Sequence, residues 1–207
     1  MNLINEPWIP IRRADGTHEK VKPWRITDFT EGKSPIVAIA SPRPDFDGAL
    51  IQFVIGLLQT TCTPSESTWW DWREKPPTPE TLRERFVTVL EAFELEGARA
   101  FMQDFSPGEL SNRLNIAAIL IEAPGEKTLK ENKDHFIKRG RVELLCPHCA
   151  ATALFTLQTN APSGRPRTSH RSAWRRTVKH TGAWRNALGN LLAKCSHKSP
   201  LSCDRRS

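Results

Sequence analysis

Residues 134–164 read DHFIKRGRVELLCPHCAATALFTLQTNAPSG, and this stretch decides how the chain is understood. It opens with a charged turn, His135-Phe136-Ile137-Lys138-Arg139-Gly140. A short β-like apolar run follows at 142–145, then Cys146-Pro147-His148-Cys149, then a small-residue helix pattern over 150–158. Ala161-Pro162-Ser163-Gly164 breaks the chain. Two residues between cysteines let both sulfurs face one centre, either a metal or each other. Zinc takes four ligands, so a metal site here requires a second pair elsewhere, and His148 is expected to point away from an ion its flanking cysteines share. The redox alternative is a thioredoxin-like thiol–disulfide oxidoreductase, in which a helix N-terminus lowers the Cys146 thiol pKa. Such proteins of the exported kind carry a leader, and the segment after Gln158 lacks the strand alternation their fold needs. A third option is a small zinc-binding protein that binds nucleic acid. The upstream turn also has two readings. Either Phe136 tucks into the core, or a finger presents Phe136 and Ile137 to a nucleic acid while Lys138 and Arg139 meet phosphates.

Working outward, the charge is unevenly placed. Of 207 residues, 164–207 hold 11 Lys/Arg and one acid, a net +10, while 1–163 hold 19 Lys/Arg and 22 Asp/Glu, a net −3. The overall +7 therefore belongs to the tail, and nucleic-acid contact by the rest must be local. Five cysteines, only two of them in a tight motif, argue against a secreted disulfide framework. With no leader pattern and no apolar run of bilayer length, the reading is a cytoplasmic protein.

Trp8-Ile9-Pro10-Ile11-Arg12-Arg13 reads as an edge strand, with Pro10 tolerated there, and the turn Ala14-Asp15-Gly16-Thr17 returns the chain antiparallel. Residues 45–60, DFDGALIQFVIGLLQT, predict a buried helix capped by Asp45 or Asp47. Trp69, Trp70 and Trp72 are expected to pack under a helix. Thr78-Pro79-Glu80 is a helix start, with Leu82, Phe86, Val89, Leu90 and Phe93 on one face and Gly97 as the stop. Residues 114–121 form a short apolar run, strand or helix, and 127–134 predict a solvated loop. No phosphate-cradling glycine loop, nucleophile elbow or paired-histidine helix is present.

Several separated motifs in order resemble one family: Asn2-Leu3-Ile4-Asn5-Glu6-Pro7-Trp8-Ile9-Pro10-Ile11, Phe101-Met102-Gln103-Asp104, the run 120–130 (LIEAPGEKTLK), and 134–164 almost throughout. The chain is similar, over residues 1–164, to CasA, the large subunit of the type I-E CRISPR surveillance complex Cascade. The resemblance implies an α+β N-terminal domain with an edge hairpin, buried helices and half of a four-cysteine metal site. It implies a non-enzymatic subunit at the 5′ end of the guide RNA, together with the other Cascade subunits. That subunit reads the protospacer-adjacent motif (PAM) of double-stranded target DNA through the minor groove, helps to start unwinding and recruits the helicase–nuclease. Phe136 matches the family's first recognition loop, and Ile137, Lys138 and Arg139 occupy it. Cys146 and Cys149 match one cysteine pair of the family's structural zinc site.

The resemblance stops at Gly164. The family continues with a glycine-rich segment, a second cysteine pair and a helical bundle. Residues 165–207 are Arg-, Ser- and His-rich with no apolar period, and Cys195 and Cys203 are not at zinc-ribbon spacing. They read as a basic, irregular tail or as an out-of-frame product of a truncated chain. Trp174 is encoded by TGG, and read from its second base into an Arg codon it becomes Gly. Permitted codons turn residues 175–182 into Gly-Gly-Pro-Leu-Asn-Thr-Leu-Val, a family-like run. Sequencing the coding DNA tests this: the shifted frame is expected to stay open and to encode a downstream Cys-x-x-Cys. A stop codon soon after Gly164, or no such pair, overturns the frameshift in favour of a genuine basic arm.

Overall fold

The computed structural model describes residues 1–28, 32–97, 100–103, 115–135, 137 and 142–160. Among them is a three-stranded antiparallel sheet of β1 (Ile9–Arg13), β2 (His18–Val21) and β3 (Ile36–Ile39) in the order β2-β1-β3. The expected hairpin forms, turning at Gly16 (φ 87°), a left-handed backbone that suits glycine. Yet β1 is central and β2 is the edge, because β3, which the sequence reading did not anticipate, pairs with the other side of β1. Pro10 survives there because the β1–β3 register begins at Ile11, so its missing N–H falls where the ladder stops. Its carbonyl accepts from Ala40 N at 3.0 Å.

Five α-helices are described: α1 (Pro44–Cys62), α2 (Glu66–Glu74), α3 (Pro79–Val87), α4 (Glu126–Lys130) and α5 (Pro147–Asn160). The predicted helix over 45–60 is α1, buried along Phe46, Ala49, Leu50, Phe53, Val54 and Leu57, though Ile51 is exposed. Neither Asp45 nor Asp47 caps it. Pro44 takes the first helical position, which suits its fixed φ, and both acids fall in the first turn. Asp47 accepts from Ser41 N at 2.7 Å, and Asp45 pairs with Arg43 at 3.0 Å. Arg43 also grips Glu122 through two hydrogen bonds of 2.6 Å, tying α1 to the loop after a 3-10 turn at Ile116–Ile119. Those bonds hold the Glu122 carboxyl below its ordinary value. Its stabilising contribution is therefore present above that ordinary value and is lost as pH falls through the depressed one.

Thr78 caps α3 as read, accepting from Thr81 N at 3.3 Å, and Leu82, Phe86 and Phe93 are fully buried. The helix ends at Val87, and Leu90–Phe93 continue as a 3-10 turn. Two expectations fail. The loop predicted over 127–134 contains α4, where good helix formers sit over a Lys127–Glu131 pair. The three tryptophans lie on α2, which buries no residue. Trp69 and Trp72 meet edge to face at 5.4 Å, and Trp70 is 59% exposed.

The core is aromatic. Phe53 of α1 sits among Trp8, Phe93, Phe101 and Phe155, with centroids 5.1, 5.8, 6.2 and 5.4 Å away, all edge to face. The conspicuous N-terminal motif seals one side of this core. Asn2 donates to Leu90 O and Glu94 Oε1, its Oδ1 accepts from Ile4 N and Asn5 N, and Leu3 N donates to Phe93 O. Trp8 Nε1, fully enclosed, donates to Leu3 O at 2.7 Å. Truncating Phe53 removes the common partner of four rings. Phe53→Ala is expected to lower unfolding stability by about 3–5 kcal/mol, measured by denaturant titration. A loss below about 1 kcal/mol would contradict its central place.

Candidate nucleic-acid interface and cysteine turn

Helix α5 carries the cysteine motif, and its inner face fixes where that motif lies. Ala151, Thr152, Ala153, Leu154, Phe155 and Thr156 are buried, and α5 packs mainly on α1. The small residues at 150–153 let the two backbones approach, and Thr152 and Thr156 return their hydroxyls to the carbonyls of His148 and Thr152. The helix starts earlier than the sequence pattern suggested, at Pro147, which is suited to the first helical position. Cys146 is thus its cap. Cys146 Sγ accepts from Cys149 N at 3.4 Å, and Cys146 O accepts from Ala150 N at 2.9 Å. The β-like run over 142–145 is not a strand. It runs without a ladder partner, and Leu144 is 90% exposed.

His148 sits between the two cysteines and reaches the edge strand β2. Its Nδ1 lies 2.8 Å from Lys20 Nζ on β2, 128 residues away in sequence. An ammonium has no acceptor capacity, so Nδ1 accepts and the imidazole is neutral with its proton on Nε2. Burial and the Lys20 charge both lower the His148 pKa, against a smaller opposing effect of Glu6. Lys20 was invisible to motif reading, because its partner is set by tertiary packing alone.

The two thiols differ. Burial raises Cys146, but the Cys149 N–H, the Cys149 side chain, Lys20 and the His148 N–H together outweigh it, and the net shift is downward. Burial raises Cys149, and the neighbouring Cys146 raises it further. Both are free thiols, Cys146 exposed and Cys149 half-buried. Two adjacent soft donors fit half of a zinc site. Among the described residues no group of three or more His, Cys, Asp or Glu could hold a metal, and Lys20 occupies His148 Nδ1. A tetrahedral ion would need two further donors from elsewhere.

Of the finger, only Ile137 is described. It is half-buried, and its N–H donates to Asp134 O at 3.1 Å. Phe136, Lys138 and Arg139 lie outside the described residues, as does the tail from 161 onward. No described helix is long and apolar enough to cross a membrane.

The fold of the described residues, a small antiparallel sheet with α1 packed on α5, is similar to that of several solved CRISPR proteins. Thermobifida fusca Cse1 matches with a TM-score of 0.60 at 16% identity, over 77% of this chain and 30% of that one. Thermus thermophilus CasA (Cse1) matches at 0.56 and 22%, over 81% and 33%. A CRISPR-associated protein Cse1 from Acidimicrobium ferrooxidans matches at 0.57 and 19%, over 82% and 32%. The chain therefore spans about a third of the length of these relatives. The sequence profile described as CRISPR-associated protein Cse1 matches residues 2–194, past the Gly164 limit of the motif resemblance, and the chain belongs to that family. No curated protein matches it. Family membership does not favour the thioredoxin-like or the small zinc-protein alternative.

The thiol asymmetry has a direct readout. With chelator present, iodoacetamide is expected to label Cys146 before Cys149, with the half-maximal rate reached at lower pH, because a lowered pKa populates the thiolate earlier. Equal rates, or Cys149 first, would contradict the cap geometry.

Proposed function

We propose that this chain supplies the N-terminal part of the large subunit of a type I-E Cascade complex, without catalysing a reaction itself. In this reading it sits with the other Cascade subunits at the 5′ end of the guide RNA, in the cytoplasm. It meets the PAM of double-stranded target DNA, helps to start unwinding, and its assembled form recruits the helicase–nuclease. The observation that carries the proposal is the family match over 2–194 joined to the Cse1-like fold of the described residues.

The physical division of labour follows from the charges. Base pairing with a guide reads the sequence, so the protein needs only a short groove contact and phosphate contacts. Phe136 and Ile137 are the wedge-type side chains for the groove, and Lys138 and Arg139 are the phosphate partners. In sequence the finger precedes α5, whose Phe155 packs edge to face on Phe53. In the metal reading, Cys146 and Cys149 supply two thiolates to a structural zinc whose other ligands come from outside the described residues. When bound, zinc would clamp the base of the finger and do no chemistry.

Co-expression with the remaining Cascade subunits and a guide RNA tests the reading. The chain is expected to copurify with the complex. Lys138→Ala with Arg139→Ala is expected to weaken duplex binding and to lower the slope of log K against log salt by about 2. Phe136→Ala is expected to reduce discrimination between PAM and non-PAM duplexes while leaving that slope unchanged. Failure to copurify would overturn the subunit assignment. Copurification with unaltered DNA binding in all three variants would overturn the finger assignment alone.

A further inference from the structure

The sheet carries a second cationic feature that the finger reading does not use. A cleft of about 170 Å³ opens beside β2, lined among the described residues by Arg13, Lys20, Lys22, Arg25 and Lys33 with one acid, Glu19. Its cations fall into two groups. Arg13 and Arg25 are neutralised by carboxylates. Arg13 Nε meets Glu19 Oε1 at 2.5 Å while its Nη1 donates to Ser34 O at 2.6 Å, and Arg25 pairs with the buried Asp28. The lysines are held differently. Lys20 Nζ rests on the neutral His148 ring at 2.8 Å, and Lys22 Nζ lies over the Trp24 indole, 5.4 Å from its centroid. Lys33 lines the same cleft and forms no ion pair among the described residues.

The distinction matters physically. A carboxylate partner cancels a cation's field, whereas an imidazole or an indole face positions an ammonium and leaves its charge in place. Lys20 and Lys22 are therefore fixed without being neutralised. Ordering them costs less on binding, since part of their rotamer freedom is already spent. The cleft is smaller than pockets for organic ligands, so it has room for phosphate groups along its floor and none for bases. Lys20 and Lys22 are two residues apart on extended backbone, which continues through Lys22 (φ −73°, ψ 149°). That repeat places them about 6.6–6.8 Å apart along one side of an edge strand. This is of the order of the step between successive phosphates of an extended single strand.

We propose that this cleft seats the phosphodiester backbone of a single-stranded nucleic acid, with Lys20 and Lys22 on successive phosphates and Lys33 closing the other side. Strand β2 leaves one side unpaired within the sheet, so a linear polyanion can run along it without disturbing β1. The site uses none of Phe136–Arg139, it adjoins the cysteine turn only through the Lys20–His148 contact, and it recognises backbone charge with no base readout.

The test uses the full chain and fluorescence anisotropy with labelled U12 RNA, dT12 DNA and a 12-base-pair duplex, across a salt series. The tail at 164–207 carries +10 and raises the background equally in every variant, so the readout is a difference between variants that share it. The triple variant Lys20→Gln, Lys22→Gln, Lys33→Gln is expected to bind the single strands roughly tenfold more weakly at 0.1 M salt, with the salt slope lowered by about 2. A control triple, Lys127→Gln, Lys130→Gln, Lys133→Gln, removes the same charge elsewhere and is expected to change binding far less. The variant Lys20→Arg, Lys22→Arg, Lys33→Arg is expected to retain the slope, and circular dichroism checks that each variant is folded. Should the glutamine triple unfold, Lys22→Gln with Lys33→Gln, which spares the His148 contact, is expected to show the same loss at about two-thirds of the slope change. Equal losses in the cleft and control triples would overturn the proposal. So would a loss confined to the duplex, or displacement of U12 by low-millimolar inorganic phosphate alone, which would make the cleft a simple ion site.

Discussion

Four aromatic side chains meet the ring of Phe53 at steep angles, and each arrives from a different part of the chain. Trp8 comes from the start of the sheet, Phe93 from the turn after α3, Phe101 from the segment beyond Gly97, and Phe155 from α5. Edge-to-face packing directs the positive ring edge at the negative face, so the cluster has a preferred geometry as well as apolar burial. The consequence for function is positional. α5 is held through Phe155, the cysteine turn is the first turn of α5, and the finger is the segment leading into that turn. Loosening one ring on α1 therefore loosens the footing of the cysteine turn.

The second constraint is polar and small. Lys20 and His148 join the edge strand to the cysteine turn through a hydrogen bond in which one partner is charged and the other neutral. Such a bond is stronger than a neutral pair but leaves a net positive charge at the surface. The Arg43 contacts to Asp45 and Glu122 do the reverse, cancelling charge while stitching α1 to the loop at Glu122. Residues 1–163 thus carry a net −3 in which a few lysines, Lys20 among them, have no carboxylate partner among the described residues, whereas residues 164–207 carry +10.

Local physics made some elements readable from residues. The apolar run around Phe53 announced a buried helix, Thr78-Pro79 announced the start of α3, and the turn at Gly16 announced the hairpin. The errors came where partners are distant. Pro10 argues for an edge because proline discourages central strands, and nothing near Pro10 tells of β3, which begins some 26 residues later at Ile36. The tryptophans of α2 were expected inside because of their size, yet their helix buries no residue. In the candidate site, the cysteine pair is legible from its spacing. Lys20 is not, since a lysine on a short strand looks the same whether or not a histidine 128 residues away receives it.

In the proposed function, residue 136 meets target DNA in an assembled surveillance complex. A photo-reactive benzoylphenylalanine at position 136, carried into the complex with guide RNA and a PAM-containing duplex, measures this most directly. The predicted result is a cross-link to the duplex on its PAM side, lost when the PAM is scrambled. An assembled complex that binds the target yet cross-links position 136 only to protein would contradict the account.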